Sequence, residues 1–282
     1  MGRAAELHAP AVVTAADHRY YRTLCQMLLS AERHGLHREH PFVVFDLGLT
    51  DADARHLGRR FGWCGVRPFP FDRYPPHVRD LVFCAWKPIA IEAVLQERRG
   101  LLLWLDSATI FHGSLGPLFE RTARYGVFSL LCQSPLRRWS DPRTPALLGV
   151  PAGDLDKRTR FGGALGLDGA RAEAGDLVAC WRACALREEC IHPPGADRRA
   201  YRYDQTVLTA LLYRFERERG LVLTDEEVDI SSCAPIPWIS TRNKVVPRLP
   251  LAADPLARAY HAAYKRLDRA VLRARRALTS NA

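Results

Sequence analysis

Short apolar runs alternate with segments of helical periodicity over the first two thirds of the chain. The runs are "PAVVTAAD", "PFVVFDLGLT", "CGVRPFPF" and "LLLWLDSATIF". The last is apolar at every position before its aspartate, which is typical of a strand that helices cover on both faces of a parallel sheet. Strands that alternate with helices predict βαβ units, and therefore an α/β fold with a mostly parallel, Rossmann-like central sheet and flanking helices.

Turn and cap residues mark where these elements end. Gly35 and Gly100 are predicted to close helices, and Thr50 is predicted to cap one. Apolar residues recur at helical spacing in five segments, namely 18–35, 51–62, 84–100, 170–189 and 203–220. Further strands are predicted at 125–131 and 161–168, with a late strand pair at 221–231 and 235–246.

Two segments stand apart from this alternation. Residues 133–160 are rich in Pro and Arg and are too long for a plain connection, so we expect a functional lid or wall there. Residues 251–282 are basic and alternate apolar with cationic positions, which predicts a C-terminal amphipathic helix appended to a catalytic domain of residues 1–250. Such a helix suits peripheral contact with an anionic inner membrane surface, and packing on the domain is the alternative.

Charge and cysteine content bear on the partners and the cellular compartment of the protein. The chain has 41 Lys and Arg against 31 Asp and Glu, a formal charge of +10, which favours anionic partners. The absence of a leader-like or membrane-spanning run predicts a cytoplasmic protein. The 8 cysteines show no paired pattern, and we expect free thiols, with a zinc site in "CWRACALREEC" or disulfides in a luminal protein as alternatives.

Asp106 is the first candidate for chemistry. It follows the most apolar strand, and burying a carboxylate costs several kcal/mol unless it is paired or liganded. Ligands bind outside the carboxyl ends of strands in open α/β sheets, where Asp17 and Asp46 also fall. For Asp46 we favour a role as a loop cap. No Gly-rich phosphate motif follows the first strand, which disfavours a dehydrogenase or a P-loop enzyme.

Four segments in order resemble the retaining nucleotide-sugar glycosyltransferases of the glycogenin and bacterial galactosyltransferase type, which have the GT-A fold. The segments are "VVTAADHRYY", "AWKPIAIEAVLQERRGLLLWLDSATIF", "FGGALGL" and "YDQTVLTALL". The tryptophan-lysine-proline and aspartate-serine pairs are also similar to a nematode domain family of unknown function. The resemblance implies nucleotide and donor contacts at Thr14, Ala15, Asp17, Tyr20, Lys87, Ser107, Gly162 and Gly163, a metal at Asp106, and catalytic roles for Asp106, Asp204 and Gln205.

The chain departs from the family at the metal site. The family has a second aspartate where Ala108 stands, and its late His-x-x-Gly-x-x-Lys-Pro-Trp motif has no clear copy, with "ISTRNKVV" or His261 as substitutes. We expect Mn²⁺ or Mg²⁺ to be held by Asp106 with Ser107, water and the diphosphate. The alternative is that Lys87, Arg160 or Arg242 balance the diphosphate without metal.

The resemblance implies an enzyme that transfers a sugar from a nucleotide-sugar donor, a UDP-sugar, to a glycan or lipid-linked acceptor with retention of configuration. Ala108 motivates a first alternative, a pseudo-transferase that binds the donor without catalysis. The charge of +10 motivates a second alternative, a nucleic-acid-associated protein, although no recognition motif for nucleic acid is present.

Overall fold

The core of the molecule is a six-stranded mixed sheet with the strand order β3-β2-β1-β4-β7-β6. The structure is a computed structural model that describes residues 9–196, 201–227, 236 and 238–240. The strands are β1 Ala11–Ala16, β2 Phe42–Asp46, β3 Gly65–Pro68, β4 Leu101–Leu105, β6 Val127–Pro135 and β7 Arg158–Asp168. A second, two-stranded sheet joins β5 Ile110–Phe111 to β8 Ile239–Ser240.

Strand direction confirms the predicted fold class. The first four strands pair in parallel, β7 runs antiparallel to β4, and β6 runs antiparallel to β7, so that only β7 is reversed. β1 is buried at all six positions and β4 at four of five, because apolar side chains point to both faces of the sheet. Both faces must therefore be covered.

Helices cover the two faces and create two apolar cores. One core contains Val13 and Trp104 from the sheet, and the other contains Val12 and Leu103, their neighbours on the opposite face. The described helices are α1 Tyr21–Arg33, α2 Leu36–Glu39, α3 Asp51–Arg60, α4 Trp86–Arg98, α5 Gly116–Tyr125, α6 Arg143–Leu147, α7 Ala172–Ala185, α8 Glu188–Ile191 and α9 Tyr203–Arg219. No helix in this part of the chain has both the length and the apolar character needed to span a bilayer.

The predicted helix ends are confirmed in two cases and corrected in one. The Thr50 hydroxyl accepts a hydrogen bond from the Asp53 backbone N–H, and the Asp53 carboxylate accepts one from the Thr50 backbone N–H, which completes a capping box. Gly35 follows α1 in the left-handed region with φ 72°. After α4, however, Arg99 rather than Gly100 takes the left-handed position, with φ 52°.

Two longer predictions need correction, and the predicted lid or wall is not tested. The run "LLLWLDSATIF" is not one strand, because the chain turns after Leu105 and the Thr109 N–H closes the turn onto the Asp106 carbonyl at 2.9 Å. Residues 133–160 contain the end of β6, the short helix α6, 3-10 turns and the start of β7, and a functional lid or wall there stays a prediction. Of the late strand pair, residues 221–226 form no strand, and Ile239–Ser240 within the second predicted segment is a strand that pairs with β5. The rest of that pair, at 228–231, 235, 237 and 241–246, and the predicted helix in 251–282 lie outside the described residues.

The expectation of free thiols is wrong for one pair of cysteines and is confirmed for Cys25, Cys64, Cys84, Cys132 and Cys180. Cys184 and Cys190 form a disulfide that ties α7 to α8, with their Cα atoms 5.3 Å apart. The Cys190 carbonyl accepts a hydrogen bond from the Thr144 hydroxyl, which also contacts the Tyr201 hydroxyl at 2.6 Å. Cys233 lies outside the described residues.

Candidate active site

A cavity of about 380 Å³ opens beyond the carboxyl ends of β1 and β4. This is the edge of a parallel sheet at which α/β proteins bind ligands, because the strands end there in loops that can carry polar side chains. The lining residues are Ala15, Ala16, Asp17, Arg19, Tyr20, Leu47, Leu81, Val82, Cys84, Trp86, Lys87, Trp104, Asp106, Ser107 and Ala108.

Lys87 lies at the start of α4 with its side chain only 6% exposed. Its Nζ is 2.8 Å from Asp204 Oδ2 and 3.4 Å from Asp106 Oδ1, and it donates to the Gly162 carbonyl at 3.3 Å. The backbone places it there through Cys84, which takes φ 53° and whose carbonyl accepts from the Lys87 N–H at 3.0 Å. The ammonium thus joins three elements that are distant in sequence.

The protonation of this lysine follows from its neighbours. Burial by itself would lower the pKa of Lys87, but the Asp106 and Asp204 carboxylates outweigh burial, and the pKa of Lys87 is raised above its ordinary value. Burial raises the pKa of Asp204, which the Lys87 ammonium only partly opposes. Lys87 therefore keeps its proton at neutral pH and presents a fixed positive charge to the cavity.

Asp106 is the most open member of the group. Its side chain is 45% exposed, its backbone N–H donates to the Gly163 carbonyl at 3.0 Å, and its Oδ1 accepts from Trp104 Nε1 at 3.1 Å. One carboxylate edge is therefore fixed by the indole and the ammonium, while much of the side chain stays available to a ligand. Ser107 and Ala108 follow it in the cavity wall and are buried.

Gly162 and Gly163 lie in β7, where the strand passes directly beneath the charged group. A Cβ on Gly163 would lie 2.9 Å from Asp106 Oδ2 and 2.6 Å from Phe161 Cζ, closer than side chains tolerate. A Cβ on Gly162 would meet only ordinary contacts, the nearest at 3.6 Å from Gln205. The requirement for glycine therefore falls on Gly163, where the missing side chain lets the backbone approach the carboxylate.

Asp204 and Gln205 open α9 behind Lys87. Asp204 is 8% exposed, and Tyr203 before it has φ 32°, an uncommon value for a residue with a side chain. The Tyr203 ring packs 5.1 Å from Phe83, in the loop that leads to Lys87. The Gln205 amide lies 3.7 Å from Cys132 Sγ. Neither Asp204 nor Gln205 lines the cavity itself.

The predicted nucleotide contacts divide into lining and buried residues. Ala15, Asp17 and Tyr20 line the cavity, whereas Thr14 is fully buried within β1 and does not reach it. The Asp17 carboxylate caps the following 3-10 turn by accepting from the Tyr20 N–H at 3.2 Å, and it pairs with Arg19 at 2.6 Å. These contacts fix Asp17 at the rim of the cavity.

Other charged candidates lie away from the cavity or beyond the described residues. The Arg160 guanidinium is buried and donates to the Ser129 and Thr224 carbonyls. The interpretation of Asp46 as a loop cap is confirmed, since Oδ1 accepts from the Gly48 and Leu49 N–H groups at 2.8 and 2.7 Å. Arg242 and His261 lie outside the described residues.

The described donors suit a cation that is shared with a phosphate. No group of three His, Cys, Asp or Glu side chains that could hold a metal ion occurs in the described part of the chain. Asp106 and the Ser107 hydroxyl are oxygen donors on the cavity wall, and hard cations such as Mg²⁺ bind through one or two carboxylates together with substrate phosphates. The fit is therefore to a jointly held ion rather than to one that the protein binds alone.

Sequence reasoning missed two residues that contribute to the site. Trp104 holds Asp106 through its indole N–H, and Arg19 adds a second cation to the cavity wall. A signal for Trp104 was available, because residues i and i+2 of a strand point to the same face. Arg19 carried no such signal, since its position depends on the turn that Asp17 caps.

Comparisons with known proteins give likenesses only among solved structures, since no protein-family model and no curated protein matches the chain with significance. Galactosyltransferase LgtC, solved with donor and acceptor sugar analogues, is 20% identical over 71% of this chain and 70% of its own, with a TM-score of 0.43. Core-mannan synthase A of Aspergillus fumigatus, in a Mn/GDP form, is 10% identical over 72% and 69%, with a TM-score of 0.47.

A Bacillus anthracis protein described as a glucose-1-phosphate thymidylyltransferase, in complex with a sucrose, is 12% identical over 92% of this chain and 96% of its own, with a TM-score of 0.44. The similar structures thus include a protein named for nucleotidyl transfer as well as proteins named for glycosyl transfer. With every TM-score below 0.5, these likenesses do not decide the function, which we base on the site of this chain.

Proposed function

We propose that this chain is a glycosyltransferase that transfers a sugar from a nucleotide-sugar donor, a UDP-sugar, to a glycan or lipid-linked acceptor. The observation that carries the proposal is the convergence of Lys87, Asp106 and Asp204 beside one cavity at the carboxyl edge of the sheet. The order of these residues along the chain, which resembles that of retaining glycosyltransferases, supports the same assignment.

On the donor side, the residues of the site act on the negative charge that develops on the diphosphate. When the bond between the anomeric carbon and the phosphate oxygen breaks, negative charge collects on the departing diphosphate, and a positioned ammonium such as Lys87 stabilises it. A bound Mn²⁺ or Mg²⁺, held by Asp106 and Ser107, would add Lewis-acid neutralisation of the same diphosphate. Trp104 keeps Asp106 oriented toward the cavity.

The sugar-side roles proposed for Asp204 and Gln205 are supported by the resemblance alone, because neither side chain lines the cavity. Positive charge develops on the sugar as the leaving group departs, and the carboxylate of Asp204 offsets it while Gln205 orients the ring. For a retaining reaction, the acceptor oxygen forms the new bond to the anomeric carbon and its proton passes to the departing phosphate oxygen, so that no separate base is required. Retention is part of the proposal and is supported only by the resemblance.

A lipid-linked acceptor accords with the composition of the C-terminal segment. Residues 251–282 contain seven Lys or Arg and two Asp, interleaved with apolar residues. Basic amphipathic segments bind anionic bilayer surfaces, which would bring the enzyme to such an acceptor. Peripheral membrane contact is therefore included in the proposal.

Calorimetric titration with nucleoside diphosphates tests the donor site. UDP in the presence of Mn²⁺ should bind more tightly than about 1 mM, which corresponds to about 4 kcal/mol, and more tightly than GDP, CDP or ADP. The surface variant Lys157→Met is the matched control and should bind UDP as the wild type does. If no nucleoside diphosphate binds the wild-type chain, the proposed function is wrong.

Ala108 favours one second candidate, a donor-binding protein without catalysis. An apolar, buried side chain stands beside Asp106 where a second carboxylate would strengthen metal binding. Many glycosyltransferases hydrolyse their donor slowly when no acceptor is present, and this reaction separates the candidates. Hydrolysis by the wild type that disappears in Asp106→Asn supports the enzyme, whereas UDP binding with equal, negligible hydrolysis in both proteins supports the second candidate.

A further inference from the structure

Four aromatic side chains pack together where the turn before α4, the end of α8 and the start of α9 meet. The His192 ring stacks on the Phe83 ring, with centroids 4.1 Å apart and planes 15° from parallel, and it lies 5.6 Å from the Tyr203 ring. The Tyr203 ring in turn lies 5.1 Å from Phe83 and 4.9 Å from Tyr201. Phe83, Tyr201 and Tyr203 are buried, and His192 is half-buried. We call these four residues the aromatic cluster.

Two members of the aromatic cluster lie next to the partners of the buried ion pair. Phe83 precedes Cys84, which takes φ 53° and whose carbonyl accepts from the Lys87 N–H at 3.0 Å. Tyr203 itself takes φ 32° and precedes Asp204, whose Oδ2 lies 2.8 Å from Lys87 Nζ. Positive φ values cost free energy in residues with side chains and persist only where the surroundings hold them. The rings that pack on these two turns therefore help to hold both charges in place.

His192 belongs to a third segment, and its backbone is fixed on more than one side. Its N–H donates to the Glu188 carbonyl at 2.7 Å, at the end of α8. The disulfide between Cys184 and Cys190 ties α8 to α7. The Thr144 hydroxyl donates to the Cys190 carbonyl at 2.8 Å. The imidazole is thus carried by a braced segment and contacts both of the other segments of the aromatic cluster.

We propose that His192 is a positioning residue of the candidate donor site, a role that rests on the proposed function. Its ring packs against Phe83 and Tyr203 together and so keeps Lys87 and Asp204 in contact. His192 does not line the cavity, so it acts through these neighbours and not on the donor. The role requires a flat ring at this position and does not require a charge.

Removal and replacement of the ring test this role. In calorimetric titrations with Mn²⁺ present, His192→Ala should weaken UDP binding by about tenfold, because each lost ring pair is worth a factor of about 2 to 12 in an equilibrium constant. His192→Phe keeps a ring and should bind UDP within about twofold of the wild type. Wild-type affinity in His192→Ala, or equal weakening in both variants, overturns the proposal.

His40 supplies the matched control. Its ring lies 4.8 Å from the Phe119 ring, and its side chain is 11% exposed, just before β2 begins and therefore at the opposite edge of the sheet. His40→Ala should lower the melting temperature about as much as His192→Ala does and should leave UDP binding unchanged. If it weakens UDP binding equally, the effect of His192→Ala is a general loosening of the fold and the proposal is overturned.

A double-mutant cycle decides the question without any ligand. In urea unfolding, the effects of His192→Ala and Lys87→Met should not add, because the placement of Lys87 depends on His192, whereas those of His40→Ala and Lys87→Met should add. Additive effects for His192 and Lys87 overturn the positioning role. Asp204→Asn takes the place of Lys87→Met, and His192→Leu that of His192→Ala, if circular dichroism shows that either variant does not fold.

The two measurements separate failure of this proposal from failure of the proposed function. If none of UDP, GDP, CDP or ADP binds the wild-type chain, the proposed function fails, and the unfolding cycle alone decides whether His192 positions the ion pair. If UDP binds and both His192 variants bind it as the wild type does, the donor site stands and the role of His192 is overturned.

Discussion

Two lysines in the described part of the chain each lie between two carboxylates, and one of them, Lys87, lines the cavity of the candidate site. Lys87 contacts Asp106 and Asp204 with its side chain 6% exposed, while Lys157 contacts Asp154 and Glu216 at 3.0 and 3.1 Å with its side chain 41% exposed. Each also lies over an aromatic ring, Trp104 for Lys87 and Tyr213 for Lys157. The local chemistry is therefore nearly the same.

The Lys87 and Lys157 groups differ in their exposure to solvent. Water screens the Lys157 group, so its ion pairs contribute little to stability. The Lys87 group is enclosed, one of its carboxylates opens onto a cavity, and a glycine strand passes beneath it. A lysine between two carboxylates is therefore not a candidate site by itself. It becomes one when the group is buried and one of its members can reach a ligand.

Removal of each lysine should give the largest difference between the two groups. Lys87→Met leaves the buried Asp204 carboxylate and the half-exposed Asp106 carboxylate without their cation and should lower the free energy of unfolding by about 3–5 kcal/mol. It should also weaken UDP binding by about 100-fold, because truncating one partner of a buried charge pair at a binding surface costs about 2–5 kcal/mol. Lys157→Met should change stability by less than about 1 kcal/mol and leave UDP binding unchanged.

Urea unfolding and calorimetric titration measure these effects on both variants. Equal destabilisation by the two substitutions would show that the Lys87 and Lys157 groups contribute equally to stability. If Lys87→Met is too unstable to purify, Lys87→Arg keeps the charge and tests UDP binding in a folded protein.

Glycine substitution probes the space around each group. Gly163→Ala forces a Cβ to within 2.9 Å of Asp106 Oδ2, and overpacking of this kind costs about 1–3 kcal/mol. It should also weaken UDP binding, because the carboxylate must move. Gly153, next to Asp154 in the Lys157 group, has nothing within 4 Å of its added Cβ.

Gly153→Ala is therefore the matched control and should leave both melting temperature and UDP affinity nearly unchanged. A Gly163→Ala variant with wild-type stability and wild-type UDP affinity would show that the close approach of β7 to Asp106 has no functional role.

Salt dependence should give the smallest difference. The Debye length falls to about 3 Å at 1 M salt, which screens exposed ion pairs far more than buried ones. The small effect of Lys157→Met on unfolding should therefore vanish between 0.05 M and about 1 M NaCl, whereas the effect of Lys87→Met should persist. An effect of Lys87→Met that also vanishes would indicate that the Lys87 group is open to solvent.

The sequence by itself determined the class of fold and the order of its main elements. Apolar strands at 11–16, 42–46 and 101–105 have no solvated face, so they must lie inside a covered, mostly parallel sheet. Thr50 and Gly35 likewise determine local geometry, since a cap hydroxyl and a positive φ act within a few residues. Asp106 could be selected for the same reason, as a carboxylate at the end of such a strand.

Only the tertiary structure decided which charges meet. Lys87, Asp106 and Asp204 are separated by up to 117 positions, and their contact depends on strand order and on the reversed β7. The pairing of residues 110–111 with 239–240 likewise joins segments that are distant in the sequence. The Cys184–Cys190 link is short in sequence but depends on its structural context. Local sequence encodes local conformation. The difference in burial between Lys87 and the surface lysine Lys157 arises instead from long-range packing, which no short segment specifies.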